Sequence, residues 1–262
     1  MNESKEEIKK ICDRILFYKN KKNFIELNIG NKEENLIIIN NMFNCTSFEH
    51  PDAFYYDEKL DILYIYEHFE FNCSPAKKHS SKLKESFSKS NKLEENVINK
   101  RKDYEIISYI EQGYSDNNVF HIGKDGDKYR DNYIKNFLYS FNKHNLQIAK
   151  YKKDCILKIG KEPKKIIISF VIEDVTIFGT RFKNGKDIGD RVNPLVTKEF
   201  MEILYQSDVD YLIFHSQDTR FLISILDKKS ITKEMLDNAI QLKEKEFYIL
   251  PVAVKISAAK NI

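Results

Sequence analysis

The chain has 262 residues, of which 42 % are hydrophobic and 13 % aromatic, enough to bury a substantial core and to exclude wholesale disorder or a low-complexity fibre. Forty-three basic against 40 acidic residues leave a formal charge of only +3, so overall basicity cannot argue for a nucleic-acid partner. The longest apolar stretch, Ile166 to Ile172, contains Ser169 and falls far short of the ~20 residues that cross a bilayer, so no membrane partner is expected.

The start, Met1-Asn-Glu-Ser-Lys-Glu-Glu, is acidic and polar where a signal peptide needs a basic and then an apolar segment, and a cytoplasmic location is expected. Ser4 and Glu7 have capping-box spacing, and Ile8, Ile11, Cys12 and Ile15 follow at helical intervals, predicting an amphipathic helix from 4 to about 19. Asn31-Lys-Glu-Glu opens a second apolar segment, Leu36 to Phe43, whose acidic first turn favours a helix although its isoleucine run would also tolerate a strand. Ala53 to Tyr56 and Ile62 to Phe71 are rich in aromatic and branched residues and flank the polar Asp57-Glu-Lys, which reads as the turn of a β-hairpin.

From Ser74 to Lys102 the composition shifts to serine, lysine and asparagine. Between Lys77 and Lys102 nine Lys/Arg stand against three Glu, a local surplus of six positive charges. Asp125-Gly126-Asp127 lacks the alternate ligands and distal glutamate of a calcium loop and reads as a turn. Residues 127 to about 153 return to helical spacing, with Tyr133, Phe137 and Phe141 on one stripe, and predict one long helix. Lys165 to Phe178 reads as a central strand buried on both faces, followed by a loop from Gly179 to Gly189. A short helix after Pro194 and Thr197, strands at Val209 to His215 and Phe221 to Leu226, a helix from Thr232 and a strand at Phe247 to Ile256 complete the chain. With no repeat and no long Pro/Gly linker, the expectation is a single α/β domain over 1–262 with a basic insertion at about 74–126.

Cys12, Cys45, Cys73 and Cys155 are widely separated, with no CxxC pair, and read as reduced, partly buried thiols. Phosphate-loop, dinucleotide, nucleophile-elbow and HExxH motifs are absent from the sequence. What remains is the pair Asp52 and Glu67. Asp52 starts one strand of the hairpin and Glu67 lies well along the other, so the register can bring both carboxylates to one end of the sheet. Such a pair suits a hard cation, which activates water and offsets charge on a phosphoryl group. A bland alternative makes Asp52 a turn former after Pro51 and Glu67 an edge-strand charge. Against it, a carboxylate between Ile65 and Phe69 on so apolar a strand is costly to bury without a cation.

Pro51-Asp52, about fourteen residues, then Glu67 on an apolar strand resembles the PD-(D/E)XK nuclease superfamily. Glu67-His68-Phe69-Glu70-Phe71 followed by Lys77-Lys78-His79-Ser80 is similar to uncharacterised bacterial proteins of that type. The likeness covers roughly residues 47 to 82. It implies a restriction-endonuclease-like mixed β-sheet flanked by helices, and a metal-dependent nuclease acting on nucleic acid, DNA in the first place, in restriction, repair or antiviral defence. It also implies that Asp52 and Glu67 bind Mg²⁺ or Mn²⁺. The superfamily's lysine, two residues after the glutamate, is replaced here by Phe69, and Lys78 or Lys77 would have to swing in from the following segment. Lys77, Lys78, Lys82 and Lys84 would neutralise phosphates, a contact giving affinity without sequence preference.

The rival expectation is a catalytically inactive nuclease-fold module that binds nucleic acid or a protein partner, and a homodimer is compatible with either. His68 and Glu70 should face the opposite side of the strand from Glu67. Glu173-Asp174 must send one carboxylate inward if its strand is central, although the simpler reading has the pair marking the strand's emergence into solvent. Asp208, Asp210 and His215 form no clear ligand set.

Overall fold

The computed structural model describes residues 8–9, 12, 24–73, 126–176, 179–183, 192–216, 222–244 and 246–250. The N-terminal helix is represented by Ile8, Lys9 and Cys12, with Ile8 and Cys12 buried. Strand β1 (Ile25–Ile29) precedes helix α1 (Lys32–Phe43), β2 (Thr46–Ser47), β3 (Ala53–Asp57) and β4 (Ile62–Phe71). Helices α2 (Gly126–Asn145) and α3 (Ile148–Ile159) lead to β5 (Lys165–Asp174) and β6 (Gly179–Lys183). Helix α4 (Lys198–Gln206), β7 (Tyr211–Ser216), β8 (Ile223–Asp227), α5 (Lys233–Asp237) and β9 (Glu246–Leu250) follow.

Seven strands form a mixed sheet in the order β1-β8-β7-β5-β4-β3-β2. β4, β5 and β7 run parallel at its centre, β3 and β8 are antiparallel to them on either side, and β1 runs parallel to β8. The alternation of side chains along β4 and β5 explains why these strands are central. Leu63, Ile65, Phe69 and Phe71 of β4, with Ile168, Phe170 and Ile172 of β5, point to a front face. Tyr64 and Tyr66, with Ile167 and Val171, point to the back.

The front face is covered by α2 and α3 through Tyr133, Phe137, Phe141, Ile148, Tyr151 and Cys155, and by Phe200, Met201 and Leu204 of α4. Phe137 and Phe200 stack with ring centroids 3.6 Å apart. The back face is covered by Ile38, Ile39 and Met42 of α1 and by Ile8 and Cys12. Tyr66 ties the back layer down by donating its hydroxyl to Ile38 O at 2.8 Å. Asn31 caps α1, its side-chain oxygen accepting from Glu33 N and Glu34 N. The β3–β4 turn is built by Asp57 Oδ1, which accepts from Lys59 N and Leu60 N at 3.0 Å, with Asp61 at positive φ.

Several expectations change. The helix predicted from 127 to about 153 is two helices: the ladder tightens from Leu146 N→Asn142 O to Gln147 N→His144 O, and α3 then runs on to Ile159. Gly126 is the first residue of α2 rather than part of a calcium-like turn. The loop predicted from Gly179 begins with β6, which pairs antiparallel with β9 in a separate two-stranded sheet. β1 is not foreseen, because Glu26 and Asn28 interrupt an otherwise apolar run. The helix predicted from Thr232 is only the short α5 followed by a 3-10 turn over Leu242–Glu244. The strand expected through Ile256 is described to Leu250, and the basic insertion lies almost wholly outside the described residues.

The four cysteines are free, with Cys12, Cys73 and Cys155 buried. Burial pushes the thiol of Cys45 up to about 11 and that of Cys155 to about 12, so neither is a thiolate nucleophile at neutral pH. Among the described residues no helix is long and apolar enough to cross a membrane.

Candidate active site

β3 and β4 pair antiparallel with Ala53 opposite Tyr66, which sets Asp52, just before β3, beside Glu67. Two main-chain amides tie the pair into the hairpin. Asp52 N donates to Glu67 Oε2 at 3.2 Å, and His68 N donates to Asp52 Oδ2 at 2.7 Å. Both carboxylates therefore lie at the same point of the hairpin, as the sequence spacing predicts. Glu67 projects to the front face and is buried, with 7 % of its surface exposed.

The same carboxylate gathers two side chains from the covering helices. Tyr151 of α3 donates its hydroxyl to Glu67 Oε1 at 2.6 Å. His144 of α2 places Nδ1 2.6 Å from that oxygen, its imidazole N–H donating. The break between α2 and α3 matters here, because it lets a residue at the end of one helix and a residue near the start of the next reach one acceptor. Burial pushes the Tyr151 phenol far above its ordinary value, reinforced by its hydrogen bond to Glu67 and by the charges of Glu67 and Asp52. Tyr151 thus stays protonated near neutral pH and donates to Glu67.

Phe69, in the position where the resemblance expects a lysine, is also on the front face and is buried. Its ring stacks on His144 with centroids 5.1 Å apart and planes 15° apart, and meets Phe170 edge-on. The phenylalanine can do none of the lysine's chemistry. It instead supports the helix-borne imidazole that contacts Glu67.

The cost of burying Glu67 is met differently from the sequence argument. Three protein donors, Asp52 N, the Tyr151 hydroxyl and the His144 N–H, satisfy the carboxylate directly, so its burial does not by itself require a cation. Neither His144 nor Tyr151 is foreseen from the sequence. Both sit on apolar helical stripes where a histidine or tyrosine is ordinarily core, and only the fold reveals that they converge on Glu67.

His68 and Glu70 alternate to the back face as predicted. There Glu173 joins them: it is 3 % exposed and turned inward, whereas the simpler sequence reading has it emerging into solvent. Asp174 faces the front and accepts from the Tyr133 hydroxyl at 3.0 Å and from Thr176 N at 2.9 Å, a structural role. Lys77, Lys78, Lys82 and Lys84 lie outside the described residues. No protein-family profile, no curated protein and no solved structure matches this chain.

Proposed function

We propose that the chain is a metal-dependent nuclease of restriction-endonuclease-like type, hydrolysing phosphodiester bonds in nucleic acid, DNA in the first place, at the centre built on Asp52 and Glu67. The bonds from Asp52 N to Glu67 and from His68 N to Asp52 carry the reading, because they hold two carboxylates fifteen positions apart at one end of a hairpin. The order of elements supports it too: helix α1, the acid-bearing hairpin β3–β4, the helices α2 and α3, then β5 laid parallel beside β4. That succession is what the PD-(D/E)XK resemblance implies.

Asp52 and Glu67 would hold Mg²⁺ or Mn²⁺, since all the side-chain donors they offer are hard oxygens on neighbouring strands. A bound ion of this kind lowers the pKa of an attacking water and offsets charge developing on the phosphoryl oxygens. The remaining work falls to the helices. A carboxylate at Glu67 can only accept, so it would take Nδ1–H of the His144 ring and leave Nε2 as the nitrogen able to take a proton. Tyr151 donates to the same oxygen and holds Glu67 in place, while Phe69 keeps the imidazole flat against the core. His144 therefore takes the part assigned by the resemblance to the missing lysine, with Lys77 and Lys78 left to bind phosphate.

A second reading is favoured by the donor set of Glu67. A carboxylate satisfied by the protein, beside a phenylalanine in the lysine's position, also suits a nuclease fold kept as a non-catalytic nucleic-acid or protein-binding module. Cleavage separates the two. Purified protein incubated with varied DNA and RNA should cut only with Mg²⁺ or Mn²⁺ present. Asp52→Ala and Glu67→Ala should abolish cutting, and His144→Gln should slow it by roughly 10²-fold or more, the usual scale for losing a positioned base. Salt-sensitive binding without cutting would favour the module, and cutting that survives both carboxylate substitutions would remove the site from Asp52 and Glu67.

A further inference from the structure

On the back face of β4, turned away from the Asp52–Glu67 centre, a second set of ligating side chains converges. Glu70 and Glu173 are direct partners in the parallel pairing of β4 with β5, and His68 stands one pleat before Glu70 on the same face. One ligating atom from each of the three lies within 4.8 Å of the other two. His68 is 4 % exposed and Glu173 3 % exposed, whereas Glu70 is exposed, so two groups form a floor and the third stands at the solvent rim.

The spacing of the buried pair is compatible with a shared cation. His68 Nε2 and Glu173 Oε2 are 3.5 Å apart. That separation is within ion-pair range. Two bonds of ~2.1 Å meeting at a tetrahedral metal span roughly 3.4 Å between their donor atoms. The same spacing fits two ligands of one ion, with Glu70 placed to complete a three-ligand set.

We propose that His68, Glu70 and Glu173 form a second cation site, distinct from the Asp52–Glu67 centre, that takes a divalent transition ion, zinc foremost. The imidazole nitrogen sets the class: magnesium and calcium take oxygen ligands, whereas a mixed nitrogen and carboxylate set suits zinc and its neighbours. Three protein ligands with a solvent side leave one position open. His215 borders the same end of the sheet, in register with Glu173 on β7 and buried. Its Nδ1 lies 3.3 Å from Leu222 O. The sequence places these residues by parity: Glu67 and His68 are adjacent, so each face of β4 receives its own polar group at the end of an apolar strand.

The test counts zinc, not cleavage, and so is independent of the proposed nuclease activity. Full-length protein carrying Asp52→Ala and Glu67→Ala is stripped with EDTA, exchanged into chelator-free buffer and titrated with zinc chloride by calorimetry. One equivalent should bind. Adding Glu70→Ala, a rim substitution that leaves the buried pair in place, should weaken that binding by at least about 10-fold, the lower end of the loss when a metal site's supporting groups are removed. Glu173→Gln should do the same. No zinc binding in the Asp52→Ala, Glu67→Ala protein, or binding unchanged by Glu70→Ala and Glu173→Gln, would overturn the proposal.

Discussion

At the scale of single residues, the candidate centre is a set of contacts with unequal consequences. Glu67 accepts from a main-chain amide, a phenol and an imidazole, so it organises three elements at once. Phe69 has a different task, stacking on His144 and meeting Phe170 at right angles. Removing its ring should leave a cavity among Phe170, His144 and the helix layer, at a cost of about 3–5 kcal/mol. Urea unfolding of Phe69→Ala checks this, with an unchanged m-value expected. A loss below about 1 kcal/mol would mean that the stack contributes little. Asp52 and Glu67 were legible in the sequence because their spacing matched a hairpin register. His144 and Tyr151 were not, because a histidine and a tyrosine seven residues apart on an apolar stripe look like ordinary core until the turn at Leu146–Gln147 and the position of β4 are known.

At the scale of elements, the segments with one strong local signal are the ones the sequence revealed. The aromatic and branched runs of β3 and β4 and the apolar run of β5 were clear, and β5 occupies the central place expected of a strand buried on both faces. Helix α1 was favoured over a strand by its acidic first turn, and the structure adds its cap. Asn31 accepts from two orphan amides there, so Asn31→Ala should cost about 1 kcal/mol, read as a lower urea midpoint. A midpoint unchanged within error would show that tertiary packing, not the cap, fixes the start of α1. What the sequence hid were elements set by long-range pairing. β1 is held by β8, nearly two hundred residues away, and β6 is a strand only because β9 pairs with it. The division of α2 from α3 carries no proline or glycine signal, and its visible trace is a change in backbone bonding at Gln147.

At the scale of the molecule, parallel strands β4 and β5 carry polar groups to both faces of one end of the sheet. On the front, Asp52, Glu67, His144 and Tyr151 form the centre proposed for phosphodiester hydrolysis. On the back, His68, Glu70 and Glu173 form the proposed zinc site. The two are joined through one peptide: His68 N holds Asp52 Oδ2 while the His68 side chain faces the other layer. Asp52 and Glu67 are proposed to share a cation. Crystals soaked in Mn²⁺ and measured at the manganese absorption edge test it most directly. The account predicts an anomalous peak within about 2.2 Å of a carboxylate oxygen of each residue. Well-ordered carboxylates with no peak between them, at manganese concentrations that support any cleavage, would contradict it.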